Sequence, residues 1–266
     1  MDKIEDISSY ISGMSTTIKD KCWWIDKIPD DVNTVIDYGC AQGDLAIMID
    51  KLAPNRFRYI GVDCSEEMLA LARHNFSFHS PASIVTLFYR ELPDAIDHCD
   101  PSKTVLVLNS VIHEIFSYLS NAEYKVLLRE MFSAGFRCIA IRDMSVPIIH
   151  MQNTQIEKVV DAIESSKYAP LWKEYLGCSG MDNLPIKITE FFLKYRYTSN
   201  WNREIKEIYL WPWLATLAID GYMEMGRYAV TDEEKFSIPY IRQKIHSDFG
   251  IDWPYDTHKK VLMCRY

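Results

Sequence analysis

Strand-like and helix-like runs alternate along the first half of the chain. Short apolar runs rich in β-branched and aromatic residues predict strands, and apolar residues spaced three or four apart predict helices. The predicted strands are 34–38, 57–62, 83–89, 103–111 and 136–144, and the helices between them include 45–52, 65–74 and 121–135. This alternation, without an internal repeat, is typical of an α/β protein with a doubly wound, mostly parallel sheet.

The flanking segments have different patterns. Residues 4–28 carry apolar side chains near helical spacing and predict one or two N-terminal helices. After the fifth strand, residues 154–166, 171–176 and 188–197 predict a helical insertion broken by prolines and glycines. An insertion at the mouth of a cleft is a candidate lid. The tail then predicts a strand at 228–238, a helix at 240–249 and a strand at 260–266.

A tight turn of small residues follows the first predicted strand. It consists of Gly39-Cys40-Ala41-Gln42-Gly43 and lies between Asp37 at the strand end and the helical run from Leu45. Such a turn lets backbone N–H groups and the start of the next helix approach a ligand closely. At the end of the second strand, Asp63 offers a carboxylate that can accept hydrogen bonds from both hydroxyls of a ribose.

A nicotinamide dinucleotide is the first alternative ligand for this turn. Its fingerprint, G-x-G-x-x-G, would begin at Gly39, but Ala41 and Asp44 stand at the second and third glycine positions. Asp44 and Asp37 would both bring negative charge to the pyrophosphate. An acid before the first glycine instead suits a ligand that carries an ammonium group.

The turn resembles motif I, D-x-G-x-G-x-G, of the class I S-adenosylmethionine-dependent methyltransferases, with Ala41 in place of the middle glycine. The resemblance covers 34–144 well, 206–266 loosely and the insertion not at all. It implies a seven-stranded sheet closed by an antiparallel hairpin, and S-adenosylmethionine as cofactor. The implied organisation is an N-terminal helical segment (1–33), a Rossmann-like cofactor-binding domain (34–144 and 206–266) and a helical lid (145–205).

The resemblance also implies the cofactor-binding residues. They are the motif I residues Asp37, Gly39, Cys40, Ala41 and Gly43, the adenosine-side residues Asp63, Cys64 and Glu91, and the residues Asn109 and Ser110 at the end of the fourth strand. Glu91 is expected to face the adenine amine, with a solvated loop charge as the alternative. Tyr10 and Met14 would lie against the cofactor or pack in the core.

The chemistry is expected just after the fourth strand. His113 and Glu114 follow it in the run V-I-H-E-I, where ligands bind in open parallel sheets. Methyl transfer requires alignment and removal of a proton from the attacking atom, and the ordinary pKa of histidine suits that proton. We predict His113 as catalytic base, with Glu114 orienting it or holding a substrate amine. The alternative is a histidine that only packs near the cofactor.

No metal site is predicted at this position. The run H-E-I-F-S lacks the second histidine of the zinc-binding pattern H-E-x-x-H.

Two further places are candidates for substrate binding. Arg142 and Asp143, at the end of the fifth strand, either bind polar substrate groups or pair with each other. Residues 186–206 hold five basic and two acidic side chains, and Tyr195 and Tyr197 are among the interleaved aromatic residues predicted to contact substrate. This segment either stacks on and neutralises a nucleotide or forms a lid helix with one packed and one solvated face.

Composition restricts the partners. The net charge of −8 opposes a broad nucleic-acid footprint and favours a small-molecule acceptor. Seven cysteines without a C-x-x-C pair predict neither a disulfide framework nor a cysteine-rich zinc site, which suggests a reducing compartment. No apolar stretch is long enough to span a membrane, so we expect a cytoplasmic protein.

The sequence therefore predicts an S-adenosylmethionine-dependent methyltransferase that acts on a small molecule. Three alternatives stay open: an RNA or nucleotide methyltransferase using residues 186–206, a cyclase or lyase that consumes S-adenosylmethionine, and a non-catalytic subunit that only binds it. No motif specifies the acceptor, since neither an N-P-P-Y-like run nor a pair of catalytic cysteines is present.

Overall fold

A seven-stranded sheet forms the centre of the computed structural model, which describes residues 18–79, 86–146, 151–179, 183–209 and 213–266. The strands are β1 (Thr34–Tyr38), β2 (Arg58–Val62), β3 (Thr86–Tyr89), β4 (Thr104–Asn109), β5 (Cys138–Met144), β6 (Tyr228–Phe236) and β7 (His258–Arg265). Their spatial order is β3-β2-β1-β4-β5-β7-β6. The predicted fold class is confirmed.

The first five strands are parallel. β1 pairs with β2 on one side and with β4 on the other, so that Asp37 lies opposite Gly61 and Val107. From β1 the chain continues through β2 to β3 on one side of the sheet, and from β4 it continues to β5 on the other side. The boundary between β1 and β4 is therefore the switch point of the sheet. Ligands of open α/β sheets bind outside the carboxyl ends of the strands at this point.

The last two strands are antiparallel to their neighbours. The Arg265 N–H donates to the Arg137 carbonyl at 3.0 Å, and the Ser145 N–H donates to the Thr257 carbonyl at 2.9 Å, so β7 runs against β5. The Thr257 N–H donates to the Phe236 carbonyl at 3.1 Å at the start of the β6–β7 pair. The expected closing hairpin is therefore present.

Twelve α-helices connect and cover these strands within the described ranges. They are α1 (Asp44–Leu52), α2 (Glu66–His79), α3 (Leu92–Ile96), α4 (Ile112–Tyr118), α5 (Asn121–Ser133), α6 (Asn153–Glu164), α7 (Ala169–Cys178), α8 (Leu184–Lys194), α9 (Trp201–Glu204), α10 (Trp213–Ile219), α11 (Tyr222–Met225) and α12 (Pro239–Phe249). None of these described helices combines the length and apolarity that crossing a lipid bilayer requires.

A capping box begins α5, and the prediction of N-terminal helices needs correction. The N-cap of α5 is Ser120, because its hydroxyl accepts from the Glu123 N–H while the Glu123 carboxylate accepts from the Ser120 N–H. The described part of the predicted N-terminal helices holds only a 3₁₀ turn, Asp20–Cys22, followed by irregular turns. Tyr10 and Met14 lie outside the described residues.

The chain divides into two compact units. The described part of the sheet unit comprises 18–143, 213–233 and 260–266, and that of the helical unit comprises the described residues of 144–212 and 234–259. In the sheet unit, Trp24, Tyr59 and Val105 belong to one buried cluster. In the helical unit, Phe191 and Phe249 belong to an aromatic-rich cluster. The helical unit therefore contains α12 in addition to the predicted insertion.

A disulfide joins Cys138 in β5 to Cys264 in β7, where the two Cα atoms are 4.1 Å apart. The other five cysteines are free thiols. The sequence did not predict this pair because the two residues are 126 positions apart and belong to no cysteine motif. The bond crosslinks the parallel part of the sheet to its antiparallel hairpin.

We expect thiol labelling of the denatured, non-reduced protein to modify five cysteines, and labelling after reduction to modify all seven. Reduction should also lower the free energy of unfolding by about 2–4 kcal/mol, because it releases a long closed loop in the unfolded chain. The variant Cys99→Ser is the control and should keep the same response to reductant. Labelling of seven thiols without reductant would contradict the crosslink.

Candidate functional site

The turn between β1 and α1 depends on left-handed backbone conformations. The φ angles of Gly39, Ala41 and Gly43 are +79°, +46° and +82°. Glycine adopts this region without strain, whereas Ala41 carries a cost of order 1 kcal/mol. The N–H groups of Gly39 and Cys40 both donate to the Val62 carbonyl, at 2.8 and 3.0 Å, which fixes the turn against the end of β2.

Asp63 holds the other side of this turn. One carboxylate oxygen accepts from the Ala41 N–H at 2.9 Å, and the other accepts from the Ser65 N–H at 2.9 Å. The Ser65 hydroxyl in turn accepts from the Met68 N–H at 3.3 Å, as expected for the N-cap of α2. Asp63 therefore joins the motif I turn to the start of α2, and its hydrogen bond offsets part of the strain at Ala41.

Asp37 lies at the end of β1 and is only 3% exposed. Burial raises the pKa of its carboxyl to about 6, against the opposing effects of a hydrogen bond from Tyr59 and the charge of Lys21. The Tyr59 hydroxyl donates to Asp37 at 2.5 Å, and burial raises the pKa of Tyr59 well above its ordinary value, so the phenol keeps its proton. Near neutral pH, Asp37 is therefore a buried anion, and a cationic ligand group would stabilise it.

A cavity of about 340 Å³, including the part open to solvent, lies beside these residues. Its lining residues are Ile18, Lys21, Asp37, Gly39, Cys40, Ala41, Gln42, Asp44, Leu45 and Asn109. The cavity thus brings together the motif I turn and the end of β4, as the sequence predicted. Lys21, which the sequence analysis did not single out, also lines it.

The remaining predicted cofactor residues lie around the same edge of the sheet. Burial raises the pKa of Tyr38, and the negative charges of Glu91 and Asp63 raise it further. Cys64 and Glu91 are exposed. Their roles at the adenosine stay predictions.

Gly43 and Ser110 shape the backbone at this edge. Gly43 is the N-cap of α1, and an added Cβ there would come within 3.0 Å of the Phe76 ring. Ser110 has a φ of +56°, and its N–H donates to the Arg142 carbonyl at 2.7 Å. The backbone of Ser110 thereby joins the ends of β4 and β5.

His113 is held by Asp143 through two contacts. The His113 N–H donates to one carboxylate oxygen of Asp143 at 3.1 Å, and its ring Nδ1 lies 2.7 Å from the other. Since a carboxylate only accepts, this contact keeps the Nδ1 proton in place and leaves Nε2 as the basic atom. Asp143, at the end of the neighbouring strand, therefore orients His113, and both roles expected for Glu114 stay predictions. Glu114 is half-buried.

Arg142 has a structural partner. Its Nε donates to Asp20 at 2.7 Å, and the Lys260 ammonium donates to the other oxygen of Asp20 at 2.7 Å. Burial would raise the pKa of Asp20, but the hydrogen bonds and charges of Lys260 and Arg142 outweigh it and lower that pKa. Arg142 is 2% exposed. Arg142 therefore anchors the 3₁₀ turn, and its role as a substrate ligand stays a prediction.

The segment 186–206 is less basic at its surface than its sequence suggested. Lys194 is buried, its ammonium donates to the Glu207 carbonyl, and it lies 3.7 Å from the Glu190 carboxylate. Arg203 is also buried, with its Nε 3.0 Å from the Glu207 carboxylate. Two of the five cations are thus neutralised inside the helical unit, so the segment exposes less positive charge than its sequence suggests. Nucleotide binding by this segment stays an alternative.

The two tyrosines of this segment have different environments. Tyr195 is fully buried in the aromatic cluster, and its hydroxyl donates to Asp248 at 2.9 Å. Packing within the helical unit accounts for Tyr195, so a substrate contact by its side chain is not supported. Tyr197 is half-buried, and its substrate role stays a prediction.

Comparison with known proteins identifies a methyltransferase domain in the chain. Residues 35–134 match the family profile described as a methyltransferase domain. No curated protein sequence matches the chain. The matched part of the chain runs from the second residue of β1 through β4 and contains the motif I turn, Asp63 and His113.

Three solved structures illustrate the shared fold. The MccD protein is 13% identical with a TM-score of 0.50, over 96% of this chain and 98% of that chain. The pyocyanin biosynthetic protein PhzM is 10% identical with a TM-score of 0.52, and the match covers 97% of this chain and 57% of PhzM. The [4+2]-cyclase SpnF is 10% identical with a TM-score of 0.52, and the match covers 94% of this chain and 82% of SpnF. At these identities the similarity concerns the fold alone.

The buried Asp37 predicts a characteristic pH dependence of stability. Its pKa is about 6 in the folded protein and 3.8 ordinarily, so the folded state binds the proton more tightly. This stabilisation is present at low pH and is lost as the pH rises through about 6. Relative to Asp37→Asn, the wild type should therefore lose roughly 2–3 kcal/mol of unfolding free energy across that window.

Chemical denaturation at a series of pH values measures this difference. The exposed residue Asp26 provides the control, since Asp26→Asn should show no comparable trend against the wild type. Wild-type and Asp37→Asn stabilities that change in parallel with pH would refute the assignment.

Proposed function

We propose that the protein transfers the methyl group of S-adenosylmethionine to a small-molecule acceptor. The observation that carries this proposal is the cavity at the β1–β4 switch point, where the motif I turn meets the buried carboxylate of Asp37. Asp37 suits the ammonium group of the cofactor. Asp63 suits its ribose, because a carboxylate that accepts two backbone hydrogen bonds still has lone pairs for hydroxyl donors.

A hydrogen-bond acceptor in the cavity also fits this cofactor. The Asn109 side-chain oxygen is buried and has no hydrogen-bond partner among the described residues. A ligand that brings an N–H donor to this position would satisfy it. When bound, S-adenosylmethionine supplies an electrophilic methyl group on its sulfonium.

In the proposed reaction, His113 acts as general base. Its Nε2 takes the proton from the hydroxyl, amine or thiol of the acceptor as that atom attacks the methyl group. Asp143 keeps the other ring nitrogen protonated and stabilises the imidazolium that results. Glu114 is a candidate for binding an amine of the acceptor.

The charge distribution supports a small acceptor over a polynucleotide. Polynucleotide affinity comes largely from many phosphate contacts, whereas this chain carries a net charge of −8. Two of the cations that had suggested a nucleotide surface are buried against glutamates. Nucleotide methylation, cyclisation or lysis of the cofactor, and non-catalytic binding are outcomes that the experiments below distinguish.

We expect the purified protein to bind S-adenosylmethionine and not NADH in a calorimetric titration. Asp63→Asn should weaken binding about tenfold or more, because it removes the charge-assisted hydrogen bond to the ribose and leaves one acceptor oxygen for the two backbone N–H groups of Ala41 and Ser65. Asp26→Asn, which changes an exposed carboxylate, should bind as the wild type does. Folded protein that binds NADH, or does not bind S-adenosylmethionine, would refute the proposal.

Catalysis should depend on the His113–Asp143 pair. With an acceptor found by screening metabolite fractions with methyl-labelled cofactor, His113→Gln should lower kcat by about 10²–10⁴ and leave cofactor affinity nearly unchanged. Asp143→Asn should lower kcat and shift its pH profile. His98→Gln, an exposed histidine, is the control.

Product analysis decides which chemistry occurs. Acceptor-dependent formation of adenosylhomocysteine supports methyl transfer, whereas methylthioadenosine from the cofactor alone would indicate cyclisation or lysis. Label found in transfer RNA but in no small-molecule fraction would overturn the proposed acceptor class. Full activity of His113→Gln would exclude its role as base.

A further inference from the structure

Two buried cations, Arg142 and Lys260, lie opposite each other on β5 and β7. Cys138 and Cys264 face each other across these strands; Arg142 lies four residues after Cys138, and Lys260 four residues before Cys264. Because the strands are antiparallel, the two cations are also a directly opposed pair, and the hydrogen bonds at both ends of the strand pair fit this register. Arg142 is 2% and Lys260 6% exposed. Like charges opposite each other destabilise a sheet, so this position favours a bridging anion.

Asp20 supplies a carboxylate to both cations. The Arg142 Nε donates to one of its oxygens at 2.7 Å, and the Lys260 ammonium donates to the other at 2.7 Å. Both contacts are charge-assisted hydrogen bonds, which are stronger than those between neutral groups. Asp20 begins the 3₁₀ turn Asp20–Cys22. A single side chain of the N-terminal segment therefore joins that segment to two strands of the sheet.

The residues that follow this turn pack on the same face of the sheet. Trp24 and Ile25 belong to the buried cluster that also contains Cys138, Ala140 and Leu262. Side chains two residues apart on a strand point to the same side, so the opposed cations lie on this face as well. Apolar packing thus holds the later part of the segment, and the bonds of Asp20 hold its beginning.

The neighbours of Asp20 line the cavity. Ile18 and Lys21 form part of its wall, whereas the Asp20 carboxylate is bonded to β5 and β7. The Lys21 carbonyl also accepts from the side-chain amide of Asn109, another lining residue, at 3.4 Å. The position of this part of the wall therefore depends on how firmly Asp20 is held.

We propose that Asp20 is a positioning residue for the cavity. Its bonds to Arg142 and Lys260, together called the Asp20 anchor, hold the 3₁₀ turn in the conformation that binds the ligand, and the Asp20 side chain does not contact the ligand itself. This inference rests on the proposed function, which identifies the ligand as S-adenosylmethionine or its product. The anchor should therefore affect ligand affinity separately from the stability of the fold.

Calorimetric titration with adenosylhomocysteine measures the affinity. Asp20→Ala should weaken binding about tenfold or more, because it removes both charge-assisted bonds that hold the cavity wall. It should also lower the midpoint of urea denaturation, since it leaves two buried like charges opposite each other.

Lys27→Met is the matched control for Asp20→Ala. Lys27 belongs to the same N-terminal segment and forms an ion pair with Asp232 of β6, but it does not line the cavity. Both side chains of this pair are about one third exposed or more, and such pairs contribute little. The affinity of Lys27→Met should therefore stay within about twofold of the wild type.

A double variant separates positioning from stability. Asp20→Ala/Lys260→Met removes one anion and one cation, and the methionine replaces the ammonium with an apolar chain of similar length. Removal of the opposed charges should restore about half or more of the lost denaturation midpoint. Affinity should remain about tenfold or more below that of the wild type, because the turn is still not anchored. Lys260→Met alone keeps the bond from Arg142 and should weaken binding by about threefold or less.

Two results would overturn the inference while leaving the proposed function intact. One is an Asp20→Ala protein that binds adenosylhomocysteine as tightly as the wild type. The other is a double variant in which affinity recovers together with stability, which would make Asp20 a residue that only stabilises the fold. If Asp20→Ala alone is too unstable to titrate, the double variant supplies the same comparison with the wild type. A folded wild type that does not bind adenosylhomocysteine would overturn the proposed function as well.

Discussion

The hydrogen bonds accepted by Asp63 are the interaction on which the site depends. One carboxylate oxygen holds the N–H of Ala41, which is in a left-handed conformation, and the other holds the N–H of Ser65 at the start of α2. The same turn is bound from β2 through the Val62 carbonyl. The left-handed turn is thus fixed by contacts from the end of β2 and the residues just after it.

Much of this arrangement was predictable because it follows from local pattern. The bounds of β1 agree with the β-branched run at 34–38, and the ends of five parallel strands must meet at one edge of the sheet. This reasoning correctly placed Asp37, Gly39 and Asn109 near one another. It required only the strand assignments and the parallel order of the strands.

The missed residues depend on contacts between distant parts of the chain. Asp143 lies 30 residues from His113, and Asp20 lies 122 residues from Arg142. Lys21 is the last residue of a charged run, K-D-K, that is typical of a solvated helix face. One signal was present, since β4 and β5 are neighbours and the argument that placed His113 at the edge also places Asp143 there.

The charge count for residues 186–206 overstated the exposed positive charge for a simpler reason. Counting charge within that window leaves out Glu207, the next residue, which binds both Lys194 and Arg203. The i,i+4 spacing of Glu190 with Lys194, and of Arg203 with Glu207, was visible in the sequence and indicates pairing along a helix face. The i,i+4 pairing therefore predicts which of these cations are neutralised better than the net charge of the window does.

The buried charges of the cavity connect the stability of the folded protein to its selectivity for ligands. Burial moves the pKa of Asp37 up to about 6 and that of Lys21 down to about 8, so both groups resist their charged forms in the free protein. A ligand that carries both opposite charges relieves both costs at once, whereas a ligand with one charge relieves one and leaves the other. The difference in binding free energy between these two ligands is the selectivity of the cavity. It originates in the desolvation of both charged groups when the protein folds. Binding of the doubly charged ligand should therefore stabilise the folded protein more than its contact area alone suggests.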